Sequence, residues 1–260
     1  MRAGIIGCGA IGSFLAREID RGNIAHMKLA ALFDIDLNKA YKLAESLEHK
    51  PQIADSFEKF LKLPVDFVIE AASQQAVFQY AEKILKQQKP LLLMSAGALA
   101  DDLLREKLFR VARENNTKIY IPSGAIAGLD GLKAMSNVRL HRARLTTRKP
   151  PSALGVKTEK PVVVFSGNAH EAAKRYPQNI NVAVALGIAA HAIDTLQVEI
   201  IADPGVSRNI HTIEVEGEAG KLEITLENFP FPDNPKTSFL AALSALQVLK
   251  NIASNVVIGG

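Results

Sequence analysis

The chain has 260 residues, of which 48% are hydrophobic and 22% charged, with a formal net charge of +4. That balance excludes an intrinsically disordered chain, which needs low hydrophobicity and high net charge, and the length suits two domains. No apolar run reaches the ~18 residues of a membrane span, and the single cysteine, Cys8, excludes an internal disulfide, as in a reducing compartment.

Residues 2–6 form a short apolar run ending at Gly7, the pattern of a buried parallel strand. Residues 10–21 place Ile11, Phe14, Leu15 and Ile19 near helical spacing. A second strand is expected over 28–33, stopping at Asp34, followed by a helix over 37–48. Further strands are expected at 65–69, 91–94 and 117–121, with helices at 74–87 and 101–115. Strands alternating with helices imply a parallel sheet with right-handed crossovers. Ligands of such sheets bind beyond the carboxyl ends of the strands. Ala71, Ala72, Ser95 and Ala96 fall at those ends and are candidate cofactor contacts.

Gly7-Cys8-Gly9-Ala10-Ile11-Gly12 is a G-x-G-x-x-G between an expected strand and an expected helix. Gly7 permits the tight turn, Gly9 lets backbone approach a pyrophosphate, and Gly12 lets the helix pack close to the strand. Ala10 and Ile11 open the helix, whose free N–H groups suit phosphate. Asp34 ends the second strand, where a carboxylate accepts hydrogen bonds from a ribose and repels a 2′-phosphate. NAD is therefore expected, with NADP allowed if Lys39 or another cation compensates. Residues 1–122 read as a dinucleotide-binding domain of the Rossmann type, an α/β doubly wound parallel sheet. Cys8, inside the motif, reads as a small filler rather than a reactive thiol.

The texture changes after Pro122. The glycine-rich stretch 123–131 suits a tight turn or a helix start, and strands are expected at 136–147, 161–165, 196–202, 209–217 and 221–228. Several alternate polar and apolar residues, as in an antiparallel sheet with one wet face. A helix is expected at 179–192, with Asn179 or Asn181 able to cap it. Residues 123–235 thus read as a second, α+β domain with a mainly antiparallel sheet, for catalysis, substrate binding and dimerisation. A last helix, with leucines at three-residue spacing from Leu240, is expected within 236–260 and to pack back on the first domain.

The densest basic cluster is Arg139, His141, Arg142, Arg144, Arg148 and Lys149. It lies in a strand-like stretch without aromatic residues for stacking, so it reads as a solvated strand face or an interface, not a nucleic-acid site. No Cys/His cluster has zinc spacing, and no metal is expected. The first residues lack the layout of a signal peptide, and a cytoplasmic location without membrane contact is expected. His211 lies on an expected strand and shares a face with Asn209 and Ile213. The residues alone leave it equally a structural or a catalytic histidine. His191, at a helix end, reads as structural.

Both halves together resemble the L-aspartate dehydrogenase family. The resemblance is carried by Ser123-Gly124-Ala125-Ile126-Ala127-Gly128-Leu129-Asp130, Thr147-Arg148-Lys149-Pro150-Pro151, Tyr176-Pro177-Gln178-Asn179-Ile180-Asn181-Val182-Ala183, Ala202-Asp203-Pro204 through Asn209-Ile210-His211, and Asn234-Pro235-Lys236-Thr237-Ser238. It implies oxidation of L-aspartate with NAD or NADP to iminoaspartate, which releases ammonia to give oxaloacetate. It also implies a homodimer and allows hand-over of the imine to a quinolinate-forming enzyme in NAD synthesis. It makes His211 the active-site histidine and Ala125 and Asn181 cofactor contacts. The chemistry agrees, because hydride leaves Cα only when the amine is neutral, and histidine suits the proton transfer.

Two substrate carboxylates need cations or converging N–H donors. Lys236 is the first candidate, with Lys221, Arg208 and the backbone at Ser123 and Gly124 as others, and Asn209 beside the histidine. Other readings are a two-domain reductase of the dihydrodipicolinate-reductase type and a non-catalytic NAD sensor lacking the base. A sugar-dehydrogenase type is disfavoured, since Lys89-Pro90 precedes the strand at 91–94 and Ser95-Ala96-Gly97 follows it.

Overall fold

A computed structural model describes residues 1–176, 180–232 and 234–259, without the side chains of Pro235 and Lys236. Two compact units result, one of Met1–Pro122 with Ala245–Val257 and one of Ser123–Ser244 with Ile258–Gly260.

In unit 1 the elements run β1 (Arg2–Ile6), α1 (Ala10–Asp20), β2 (Lys28–Phe33), α2 (Leu37–Glu45), β3 (Gln52–Ala54), α3 (Phe57–Lys62), β4 (Phe67–Glu70), α4 (Gln74–Lys86), β5 (Leu91–Leu93), α5 (Asp102–Glu114) and β6 (Ile119–Tyr120). The sheet order is β3-β2-β1-β4-β5-β6, every pair is parallel, and this is the Rossmann order. All four residues of β4 are buried, as in a strand covered on both faces. Side-chain caps start the crossover helices: Asp36, Ser56, Ser73 and Asp101 each accept a hydrogen bond from the first turn that follows. Strand β3 and helix α3 were not expected. Three residues of strand and six of helix carry too little periodicity, and aromatic packing fixes them instead: Phe57 stacks on Tyr80 with ring centroids 4.1 Å apart.

The core of this unit gathers Ile5, Leu15, Leu32, Phe67, Ile69 and Leu92, together with Ala245, Leu246 and Leu249 of the last helix. That helix, α9, spans Phe239–Ala253. Residues 236–238, expected as helix, lie instead in a strand, Asn234–Ser238, which pairs with Pro230–Phe231.

Unit 2 contains α6 (Leu129–Met135), β7 (Leu140–Lys149), β8 (Val162–Asn168), α7 (Ala169–Arg175), α8 (Asn181–Ala189), β9 (Gln197–Ala202), β10 (Asn209–Gly217) and β11 (Gly220–Asn228), then the short pair β12 (Pro230–Phe231) and β13 (Asn234–Ser238). The main sheet is ordered β11-β10-β7-β9-β8. Its pairs are antiparallel except β7 with β9. One face is buried through Ala143, Leu145, Val198, Ile200, Ile213 and Val215, while the alternate residues of β10 and β11, such as Glu216, Glu223 and Glu227, are exposed. Helix α7, not expected, opens with a capping box between Asn168 and Glu171 and packs on β8 and β9. Among the described residues no helix is long and apolar enough to cross a membrane.

Candidate active site

The glycine loop in unit 1 has the geometry of a phosphate cradle. Gly7 has φ +95, and a Cβ there would lie 2.6 Å from the Ala71 carbonyl oxygen, while a Cβ on Gly12 would overlap the Gly7 carbonyl. Nothing lies within 4 Å of the Cβ position of Gly9, so backbone is open to a ligand there. Helix α1 starts after Gly9 without a side-chain cap or an acid in its first turn, in contrast with the capped helices that follow it. Its first N–H groups, at Ala10 and Ile11, suit an anion. Residues present therefore fit a dinucleotide.

Asp34 has a more engaged position than its place at a strand end suggests. One carboxylate oxygen accepts the Cys8 N–H at 2.7 Å and the other accepts the Asp36 N–H at 2.8 Å. A carboxylate keeps further lone pairs for a ribose. Burial pushes the Cys8 thiol up to about 12, with the Asp34 charge adding to it, so the thiol is an inert filler.

Glu70 was passed over in the sequence as the end of a strand. It is fully buried, and burial pushes its carboxyl above the usual range while hydrogen bonds oppose the shift. Its oxygens accept the Ser95 N–H at 3.0 Å, the Ser95 hydroxyl at 2.8 Å and the Ala72 N–H at 2.9 Å. One carboxylate thus ties together the loops after β4 and β5, which hold Ala71, Ala72, Ser95 and Ala96. The signal was an acid closing an otherwise apolar strand, Phe67-Val68-Ile69-Glu70.

In unit 2, His211 is buried on β10, opposite Thr147 of β7 and Leu226 of β11. Thr147 Oγ1 lies 3.0 Å from His211 Nδ1. With Nδ1 engaged, Nε2 is the ring nitrogen left for chemistry. Burial, and then the charge of Lys149, push the imidazole down to about 3, so it is neutral at physiological pH. Asn209, half-buried, shares the His211 face and stands opposite Asn228.

The loop after Pro122 is pinned at two points. Asn228, buried, donates to the Ala125 carbonyl at 3.0 Å, and the Gly124 N–H donates to the Ser244 hydroxyl at 3.0 Å. That amide, a candidate carboxylate donor, is thus already used within the fold. Ser123 is half-buried beside it. Asn181 is the exposed first residue of α8, whose cap position is Ile180 without a side-chain bond. Pro177, Gln178 and Asn179 lie outside the described residues, as does the side chain of Lys236.

The other proposed cations are elsewhere. Lys221 pairs with Glu223 and stands opposite Glu216, five residues from His211 along β10, or roughly 17 Å. Arg208 binds Glu227 at 3.1 Å and lies over the Phe229 ring. The basic cluster on β7 is divided by strand alternation. Arg144 and Arg148 pair with Glu199 and Asp203, whereas Lys149, expected on a solvated face or interface, is buried on the same face as Thr147.

Comparison with known proteins agrees with this division. Residues 130–252 match the family model described as aspartate dehydrogenase, C-terminal, and residues 7–122 match the homoserine dehydrogenase, NAD binding domain. An L-aspartate dehydrogenase of Methanosarcina barkeri is 45% identical, covering 100% of this chain and 99% of its own. One from Methanothermobacter thermautotrophicus is 42% identical, covering 100% and 98%. The crystal structure of an aspartate dehydrogenase from Thermotoga maritima superposes with a TM-score of 0.82 at 31% identity, covering 100% and 99%. A myo-inositol dehydrogenase of Lactobacillus casei, at 13% identity and TM-score 0.58, shares the fold alone. A glycine loop open to a dinucleotide, a buried neutral histidine braced by a threonine, and full-length relatives above 40% identity lead to one conclusion: the chain belongs to the L-aspartate dehydrogenase family.

Proposed function

We propose that the protein catalyses the reversible, nicotinamide-dependent oxidative deamination of L-aspartate to iminoaspartate, which hydrolyses to oxaloacetate and ammonia. The observation that supports it is the His211 ring, neutral and buried, with Nδ1 engaged by Thr147 and Nε2 left to act. Bound NAD supplies the acceptor for the hydride of the substrate Cα. His211 Nε2 takes the proton of the substrate ammonium, because a protonated amine opposes loss of hydride. Thr147 keeps the ring oriented. In the reverse direction the imidazolium returns a proton to nitrogen, and in the forward direction the ring, once it has released that proton to solvent, activates the water that attacks the imine. NAD is preferred over NADP through the Asp34 carboxylate, which opposes a 2′-phosphate.

The test is a screen of small amino acids and oxo acids with both cofactors. L-aspartate with NAD is expected to give NADH absorbance, and oxaloacetate with ammonia to consume it. A protein that binds NAD yet turns over none of the panel sinks the proposal.

A further inference from the structure

Asn228 closes β11 at 6% exposure, although asparagine is mostly an exposed residue. It stands opposite Asn209, and both share the face of His211, whose own neighbour on β11 is Leu226. Asn228 and His211 are thus diagonal neighbours across two strands, roughly 7–8 Å apart. Asn228 Nδ2 donates to the Ala125 carbonyl at 3.0 Å. A carbonyl only accepts, so this bond fixes which end of the carboxamide is the NH₂ and leaves Oδ1 on the other side. Oδ1 accepts no hydrogen bond among the described residues. The fully buried side-chain oxygen without a partner among them is the Thr117 hydroxyl, so Oδ1 is accessible from outside the fold.

We infer that Asn228 binds the amine of the substrate, its Oδ1 accepting one N–H while His211 Nε2 receives another. The inference rests on the reading that the substrate is an α-amino acid, and it adds the group that recognises the nitrogen. An amide oxygen suits this task. It is a far weaker base than imidazole, so it holds an ammonium without competing for the proton that His211 takes. Its orientation is set in advance by Ala125, which lowers the entropy lost on binding. An amine can serve both acceptors, whereas a hydroxyl has one proton and serves one of them.

The same bond gives the oxidation a direction. Once His211 has taken a proton from the ammonium, two N–H groups and a lone pair remain on nitrogen. The lone pair forms the C=N bond as the Cα hydride leaves for the cofactor, and it must lie parallel to the breaking C–H bond to do so. An N–H held by Oδ1 restricts rotation about Cα–N and keeps that alignment. Both N–H groups survive in the iminium product, so Asn228 neither gains nor loses a proton. The two ends of one carboxamide thus hold the loop after Pro122 and the reacting nitrogen together.

Calorimetry of the NADH-loaded protein tests the assignment with two ligands: L-aspartate, which that cofactor cannot oxidise, and succinate, the same carbon skeleton without the amine. Asn228→Ala is expected to weaken L-aspartate binding about 10- to 100-fold more than succinate binding, the scale of one hydrogen bond to a charged group. A residue that only pins Ala125 would weaken both ligands alike, so an equal loss overturns the assignment, as does undiminished L-aspartate binding. Should Asn228→Ala not fold, the wild-type protein answers by NMR. The side-chain carbonyl carbon of Asn228 is expected to move downfield with L-aspartate and to stay in place with succinate, and an equal response to the two overturns the assignment. The two readings fail separately. A selective loss of L-aspartate binding in Asn228→Ala, with no NADH formed from L-aspartate and NAD by the wild type, supports the amine site and removes the reaction; wild-type turnover of L-aspartate with an equal loss of both ligands in the variant does the reverse.

Discussion

Thr147 Oγ1 lies 3.0 Å from His211 Nδ1, and both side chains are buried on facing positions of adjacent strands. The hydroxyl contributes direction to the ring. Thr147→Val keeps the shape and deletes the partner, leaving a buried ring nitrogen unsatisfied at a cost of about 1–3 kcal/mol. Turnover of L-aspartate is expected to fall about 10- to 100-fold in this variant with the KM for NAD unchanged, and Thr147→Ser is expected to recover most of it. His211→Ala removes the base itself, for which about 10²–10⁴-fold is expected. Full turnover in Thr147→Val would show that the ring is held by packing alone.

In its proposed role Asp34 would serve two ends, since the oxygens that would meet a ribose already hold the Cys8 and Asp36 amides. Asp34→Ala is expected to lower kcat/KM for NAD about tenfold or more, on the scale of a charge-assisted hydrogen bond, and to narrow the preference for NAD over NADP. Measured specificity constants for both cofactors decide it: an unchanged ratio would mean that the carboxylate only shapes the glycine loop.

Glu70 is surrounded by donors, with Ser95 giving two hydrogen bonds and Ala72 one. In Glu70→Gln an amide NH₂ replaces one acceptor, so a donor faces a donor inside the protein. Loss of about 2–3 kcal/mol of stability is expected from one buried group left unpaired. Loosened loops after β4 and β5 are expected to weaken NAD binding as well. Urea unfolding and NAD titration measure the two effects, and unchanged values for both would separate Glu70 from the loops.

Legibility followed periodicity and length. The strand–glycine turn–helix at 2–20 was plain in the sequence because β1 is uniformly apolar and Gly7, Gly9 and Gly12 have distinct steric tasks. Residues 52–62 were not, because β3 is three residues long and α3 is set by Phe57 and Tyr80 meeting across the chain. Helix α7 had a readable start, Asn168 with Glu171 three residues on, which the neighbouring strand pattern masked. The motif singles out His211 as a candidate in the sequence, whereas Lys149 is hidden among its basic neighbours. Run of charge was read where alternation governs: Thr147 and Lys149 have odd numbers and turn inward, while Arg144 and Arg148 have even numbers and meet Glu199 and Asp203. Glu70 was illegible for a different reason, since its donors lie 25 residues away in sequence at Ser95.

Burial of the Lys149 side chain predicts a pH-dependent contribution to stability. Its ammonium is lowered from 10.5 to about 8 by burial. A lowered folded-state value means that the stability linked to this group is present in full above about pH 10.5 and is lost as pH falls through about 8. At neutral pH the native state therefore bears the whole cost of the buried charge, on the order of 3 kcal/mol. Lys149→Met replaces that charge with a side chain of similar reach. The variant is expected to be more stable than the wild type at pH 7 by on the order of 1–3 kcal/mol, with the gain shrinking between about pH 8 and 10.5. His211 adds a slope on the acid side of both proteins, because its lowered value makes stability decay from about pH 6.5 downward. Denaturant unfolding of both proteins at neutral and alkaline pH measures the difference. A variant less stable at pH 7 would mean that the contacts of the ammonium brace the fold by more than its burial costs.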